Sequence, residues 1–326
     1  MRLRPPPFWE AGHGDDLLAR LLAPAAALVA HVAARRVDRA GWLAPVPVLC
    51  IGNASVGGAG KTTLALDLGA RLLATGRRVH FLSRGYGRRG RGVRRVAPGD
   101  SVAAVGDEPK LLAALAPTWV GADRPAAARA AIAAGADALV MDDGLQNPGL
   151  AKTLSLLAID GRRGFGNGRV LPAGPLREPV AAAATRVAAA VLIGDDETGA
   201  QDLLPPALPV LRCRLRPGPA ARALAGMRVF AIAGIARPEK FHRTLIEAGA
   251  VLAGHADFPD HHCFTARELQ RMLAAAERLG ALPVTTPKDA TRLRPELRGV
   301  IREADVTLVW EQPGAIAALL ARLNPS

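Results

Sequence analysis

The 326-residue chain is predicted to be an α/β protein of the P-loop NTPase type: a mostly parallel sheet with helices on both faces, followed by a smaller C-terminal α/β domain. Two observations carry that expectation. Short apolar runs alternate with alanine-rich stretches long enough to be helices, which is the rhythm of βαβ units. One of these runs, Val46 to Ile51, leads into Ser55-Val-Gly-Gly-Ala-Gly-Lys61-Thr62-Thr63, a glycine-rich loop placed between a strand and a helix.

That loop fits G-x-x-x-x-G-K-[ST] except at its first position, where Ser55 stands in place of glycine. Backbone N–H groups along Ser55, Val56, Gly57, Gly58, Ala59 and Gly60 are expected to surround a β-phosphate. Lys61 reaches the β/γ oxygens, the Thr62 hydroxyl is placed to hold Mg²⁺, and Thr63 continues the first helical turn. After a helix at about 61–74, strands are expected at Val79–Ser83, Thr118–Val120, Ala138–Met141, Leu156–Ile159 and Val191–Ile193. Ligands of such a sheet bind beyond the carboxyl ends of its strands. Proline density rises around Pro205–Pro219, with a short strand Val210–Leu215 inside it, and a new strand begins at Val229. The expected domains are therefore 37–215 and 216–326. The second holds strands near Leu282–Thr285 and Val306–Trp310 and helices near 238–248, 265–279 and 313–323, the middle one opened by the capping box Thr265-Ala-Arg-Glu268.

Residues 1–36 form a separate segment. Leu21 to Ala34 carries no charge, lies between Arg20 and Arg35-Arg36, and is too short to span a bilayer, which takes about 20 apolar residues. As a helix it aligns Leu17, Leu18, Leu21, Leu22, Ala25, Leu28, Val29 and Val32 on one stripe, with Phe8 and Trp9 just upstream. The stripe alone also suits packing on the protein's own core, but with the aromatic pair and flanking arginines it suits a helix lying in the membrane interface, and residues 1–36 are expected to be an amphipathic membrane-interface segment. The formal charge of +13 favours anionic lipid or phosphorylated ligands over nucleic acid, because aromatic residues are only 4% of the chain and do not interleave with the basic ones. Cys50, Cys213 and Cys263 lie far apart, which suggests neither a disulfide framework nor a zinc ribbon and points to a reducing compartment.

The strand Ala138 to Met141 ends in Asp142-Asp143-Gly144, where a second Mg²⁺ contact belongs in a P-loop enzyme. Asp107, in Gly106-Asp-Glu-Pro109, reads first as a helix cap. Asp260-His261-His262 lies on a loop and offers one functional imidazole rather than a two-histidine metal site. Asn53, Arg84, Arg124, Gln146, Arg177 and Glu178 are candidates for substrate or phosphate contacts. No lysine is followed two residues later by aspartate, so the guanine-reading tetrad is missing and ATP is the expected nucleotide.

Taken together, Ser55-Val-Gly-Gly-x-Gly-Lys-Thr, Ser83-Arg-Gly-Tyr-Gly87, Gly106-Asp-Glu-Pro109, Asp142-Asp-Gly-x-Gln146, Gly164-Phe-Gly-Asn-Gly168, Leu171-Pro-Ala-Gly-Pro-Leu-Arg-Glu178, Asp260-His-His-x-Phe264 and Lys288-Asp289 resemble the tetraacyldisaccharide 4′-kinase family of lipid A biosynthesis. The resemblance runs from near residue 8 to the C-terminus. It implies transfer of the ATP γ-phosphoryl group to the 4′-hydroxyl of an acylated disaccharide 1-phosphate, giving lipid IVA. It places the protein peripherally (monotopic) on the cytoplasmic face of the inner membrane, with no obligate protein partner. It also implies that Lys61 and Thr62 hold phosphates and Mg²⁺, that Asp142 or Asp143 anchors the metal, and that Asp107 is the base, paired with His261. Asn147, Pro287 and Thr63 depart from the family pattern. The competing class, a soluble P-loop switch or metallochaperone, needs a base-reading motif and clustered Cys or His, and the sequence shows neither.

Overall fold

The computed structural model describes residues 6–10, 16–37 and 39–323. Its strands are β1 (Val48–Gly52), β2 (Val79–Ser83), β3 (Arg94–Arg95), β4 (Thr118–Val120), β5 (Ala138–Asp142), β6 (Leu154–Asp160), β7 (Ala189–Ile193), β8 (Val210–Pro217), β9 (Arg228–Ala233), β10 (Val251–Asp257), β11 (Leu282–Thr285), β12 (Arg302–Glu303) and β13 (Val306–Trp310). They build a nine-stranded sheet in the order β13-β8-β7-β6-β1-β5-β2-β4-β3 and a four-stranded sheet in the order β10-β9-β11-β12. The large sheet is parallel except at its two edges, where β13 runs against β8 and β3 against β4.

Alternation along each strand sends side chains to both faces of the large sheet. Leu49 and Ile51 of β1 pack with Leu64 and Leu68 of helix Lys61–Ala74 and with Phe81, Val140 and Leu156. Val48 and Cys50 point the other way, toward Ala127, Ala128 and Ala131 of helix Arg124–Ala133. The glycine at the end of β1 is required by a close approach, since a Cβ on Gly52 would lie 2.4 Å from the Leu145 Cβ. In the small sheet, helices Pro238–Glu247 and Ala266–Arg278 cover opposite faces through Phe241 and Leu245 on one side and Leu269 and Met272 on the other.

The C-terminus departs from the expected division at 216. Strand β13 pairs with β8 in the large sheet, and Ile316, Leu320 and Leu323 join the core around helix Lys61–Ala74. The small unit is therefore an insertion between β8 and β13. The chain leaves and returns at one point, where Gly218 N donates to Asp305 O at 2.9 Å and Ala221 N to Asp305 Oδ1 at 3.1 Å. The cause is apolar: Leu308 and Trp310 alternate into the large core, and only that sheet offers an open edge next to the exit strand.

At the N-terminus, helices Leu17–Leu21 and Ala23–Val37 lie against the large unit through small residues. Ala26 is buried in the cluster around Leu157, Ile159 and Leu192, with Leu22 and Ala30 beside it. Apart from Leu22, the leucines and valines of the stripe read from the sequence face outward: Leu17, Leu21, Leu28 and Val32 are 71, 67, 65 and 57% exposed. The aromatic pair upstream is half-buried on the loop at 164–172. There Asn167 Nδ2 donates to Phe8 O at 2.8 Å and the Trp9 indole N–H to Pro172 O at 3.2 Å.

Candidate active site

Parallel pairing of β1 with β5 sets the site. Ile51 stands opposite Asp142, and Asp143 N donates to Ile51 O at 2.9 Å, so the phosphate loop and the acidic pair leave the sheet side by side. The loop turns at Gly57 and Gly60, with φ of 106° and 75°, conformations that cost a side-chain-bearing residue. Its first half is held by the 170–177 segment: Val56 N donates to Pro175 O at 2.8 Å and Arg177 N to Ala54 O at 2.7 Å. That zipper supports Ser55, which bridges Leu176, without a glycine there. Nothing lies within 4 Å of a Cβ built on Gly57 or Gly58, so the loop presents open backbone to a ligand. Ala59 is buried, and Thr63, half-buried, lies in the first helical turn.

Lys61 is buried, donates to Gly57 O at 3.2 Å and lies 3.8 Å from Asp143 Oδ1. Burial lowers its pKa, and Asp143 opposes that shift. The Thr62 hydroxyl donates to Asp142 Oδ2 at 3.0 Å. Asp142 Oδ1 is buried with no hydrogen-bond partner, beside a threonine hydroxyl and a second carboxylate. This cluster of hard oxygen donors, one left unsatisfied, fits a magnesium ion. Burial, helped by the neighbouring Asp143 charge, pushes the Asp142 carboxyl up to about 6.

Asp143 is engaged differently. Arg177 donates Nη1 to Oδ1 at 2.8 Å and Nη2 to Oδ2 at 3.1 Å, a two-pronged pair. Burial works to raise the Asp143 pKa, but Lys61 and Arg177 together hold it below the usual range. Gln146 donates to Asn53 O and to Glu178 Oε1, both at 2.8 Å, and Glu178 is ion-paired with Arg186. Asn53 is itself buried, with Nδ2 3.4 Å from Ser55 Oγ and an unpartnered Oδ1. Arg177, Glu178 and Gln146 thus brace the acidic pair and the loop entrance.

Arg124 differs from the expectation of a phosphate clamp. It is 2% exposed and donates to Gly121 O at 2.9 Å and to Asp142 O at 3.5 Å, while burial lowers its pKa to about 10. Its guanidinium donates to backbone carbonyls just past β4 and at the last residue of β5. Arg84, just past β2, is exposed at the same end of the sheet.

The second half of the site joins Asp107 of the large unit to residues of the small unit. Asp107 opens helix Asp107–Ala113 after Gly106, whose φ is 96°; its side chain caps no helix N–H, against the cap reading. Instead Asp107 Oδ2 accepts from His261 Nδ1 at 2.7 Å and from Arg292 Nε at 2.8 Å, and Arg292 Nη2 reaches the same oxygen. Burial would raise this carboxyl, but the His261 and Arg292 hydrogen bonds outweigh it and hold the pKa at about 2. Arg292 is fixed in turn by Gly234 O at 3.0 Å and by Asp289 Oδ1. Lys288 Nζ lies 3.2 Å from Glu108 Oε1, 3.3 Å from Asp260 Oδ1 and 3.4 Å from His261 Nε2. His261 Nε2 also lies 3.3 Å from Asp260 Oδ2, so a carboxylate stands at each nitrogen of the imidazole. Glu108 is near enough to both Asp142 and Lys61 to raise their pKa values, which links this interface to the phosphate loop.

Among the described residues, only Asp143 and His261 combine a side chain with a left-handed backbone, at φ of 55° and 63°. Both sit in this site, where strained backbone is commonly retained. Arg292 carried no expectation from the sequence. The signal that could have revealed it is its spacing three residues after Asp289, an i,i+3 charge pair in a segment that already held Lys288-Asp289.

The tetraacyldisaccharide-1-P 4′-kinase family profile matches residues 18–324. Tetraacyldisaccharide 4′-kinase of Gluconacetobacter diazotrophicus is 58% identical over 316 residues, covering 97% of this chain and 96% of that protein. The protein of the same name from Rhodospirillum centenum is 55% identical, covering 98% and 97%. Among solved structures, LpxK from Aquifex aeolicus in complex with ATP superposes with a TM-score of 0.77 at 26% identity, covering 94% of this chain and 99% of that one. Family match, near-full-length identity and shared fold agree, and the chain belongs to the tetraacyldisaccharide 4′-kinase family.

Proposed function

We propose that this chain transfers the γ-phosphoryl group of ATP to the 4′-hydroxyl of a tetraacyldisaccharide 1-phosphate, giving lipid IVA in lipid A biosynthesis. The observation that carries the reading is the Asp107–His261 pair at 2.7 Å, formed across the two units beside the phosphate loop. Lys61 and the open backbone of Gly57 and Gly58 bind the nucleotide phosphates. Thr62 and Asp142 would hold Mg²⁺, and Asp143, clamped by Arg177, keeps Lys61 oriented. The ion, when bound, neutralises charge on the β- and γ-phosphates.

Asp107 receives the proton of the attacking hydroxyl. All three of its hydrogen bonds fall on Oδ2, so Oδ1 is the oxygen left to face the sugar. A carboxylate held at about 2 is a weak base, so the proton moves late, as the P–O bond forms, which suits a loose phosphoryl-transfer transition state. Most of the acceleration then comes from positioning and charge neutralisation rather than from deprotonation.

The outward leucine stripe of the N-terminal helices supports docking on the cytoplasmic face of the inner membrane, with the apolar face in the lipid interface and the acylated substrate supplied from the bilayer. No described helix is long and apolar enough to cross a membrane. Incubating the protein with Mg-ATP and detergent-solubilised tetraacyldisaccharide 1-phosphate tests the reading by mass spectrometry. A gain of one phosphate on the disaccharide supports it; ATP hydrolysis with no phosphorylated lipid refutes it.

A further inference from the structure

Outside the catalytic cleft, the fold assembles, among the described residues, one cluster of ligating side chains drawn from a helix and a strand. His255 and Asp257 are two residues apart on β10, so both project from the same face of the strand. Helix Pro238–Glu247 packs across the same sheet and adds His242. His242 Nε2 lies 3.0 Å from Asp257 Oδ1 and His255 Nδ1 lies 3.1 Å from Asp257 Oδ2. The three ligand atoms all fall within 4.8 Å of one another.

We propose that His242, His255 and Asp257 form a binding site for one transition-metal dication of the zinc class. A tetrahedral zinc with bonds of about 2.1 Å separates its ligand atoms by roughly 3.4 Å; the two histidine–carboxylate spacings, 3.0 and 3.1 Å, lie a few tenths of an ångström below that, and the histidines, within 4.8 Å of each other, close on the ion by side-chain rotation. Two imidazoles and a carboxylate suit zinc and its neighbours better than magnesium or calcium, which prefer all-oxygen sets. The side chains are 15, 52 and 35% exposed, so the ion reaches the site from solvent and keeps water in its remaining position. Because β10 is an edge strand, held on one side only by β9, the ion acts as a clip between helix and strand. Strand β10 runs into the loop that carries His261, while Arg237 and Lys240 at the start of the helix reach Asp160 of the large unit.

The test uses the full chain carrying Cys263→Ser, which removes the exposed thiol, in excess Mg²⁺ and ATP to saturate the phosphate-loop oxygens. Zinc is titrated in competition with a chromophoric chelator, and Co²⁺ replaces it to read the visible spectrum. One equivalent bound at micromolar or tighter concentration, with a tetrahedral Co²⁺ spectrum, is expected. His255→Ala and Asp257→Asn should each weaken that equivalent at least 10-fold, comparable to the loss on disturbing a metal site. Zinc should also raise the melting temperature of the parent chain and leave that of His255→Ala unchanged. Binding only at millimolar zinc, or equal affinity in parent and variants, overturns the proposal. His255→Ala perturbs an exposed side chain, so its circular dichroism should match the parent and separate metal loss from misfolding.

Discussion

Asp107 shows how two opposing effects are decided at a single oxygen. Burial favours the neutral acid, yet His261 and Arg292 direct their donors at Oδ2 and keep the group ionised with a pKa of about 2. Its folded value lies below the ordinary 3.8, so the stability it contributes is present above that value and is lost as pH falls toward 2. Activity follows the same sign: kcat/KM should show no acid limb from Asp107 above about pH 4. Arg292→Gln removes the guanidinium fork and lets the carboxyl rise. The expected result is a 10- to 100-fold fall in kcat, roughly the range for a lost charge-assisted contact, together with an acid limb that moves upward into the measurable range. A pH profile parallel to that of the unmodified protein would show Arg292 to be a packing residue only. Removing one partner of a buried pair also destabilises, by about 3–5 kcal/mol, so the profile rather than the rate alone is the discriminating readout.

At the scale of elements, the N-terminal helices carry two apolar faces with different sizes of residue. Ala19 and Ala26 turn inward and let the helices approach the sheet, while Leu21 and Leu28 turn out. Leu21→Asp with Leu28→Asp should abolish co-sedimentation with anionic vesicles and leave the melting temperature nearly unchanged, since exposed positions rarely shift stability by more than about 0.5 kcal/mol. Ala26→Leu should do the reverse, costing about 1–3 kcal/mol by overpacking and sparing vesicle binding. A destabilised Leu21/Leu28 double variant would place those side chains inside the fold. Near the loop, Gly52→Ala forces a Cβ to within 2.4 Å of Leu145 and should cost about 1–3 kcal/mol in denaturant unfolding. The helix stripe was legible from spacing, but its direction was not. Periodicity marks an apolar face and is silent on whether protein or lipid covers it, and here the alanines took the inside.

For the molecule as a whole, local order in the sequence foretold most of the sheet and the phosphate loop, because the central strands of the large unit carry their own apolar runs and punctuation. Besides the two-residue strands β3 and β12, which carry no apolar residue, three things escaped it. Strand β10, Val251–Asp257, is interrupted by Gly254 and half exposed, so it lacks a buried-strand pattern. The return of β13 to the large sheet depends on an edge left open beside β8, a property of the assembled sheet and not of residues 306–310. Arg292 finds Asp107 across 185 positions, which no spacing rule reaches. Truncation before Val306 is expected to abolish ATP binding along with the cooperative melt, because it strips Trp310, Ile316 and Leu320 from the core behind the phosphate-loop helix. Retained ATP affinity would make the C-terminal segment part of the small unit after all. The central claim is that Asp107 and His261, brought from separate units, act as one catalytic pair. Single-turnover phosphoryl transfer should be measured for Asp107→Ala, His261→Ala and the double variant. Groups acting as one pair predict that the double variant is no slower than the slower single variant. Losses that multiply would contradict the pair and leave two independent contributions.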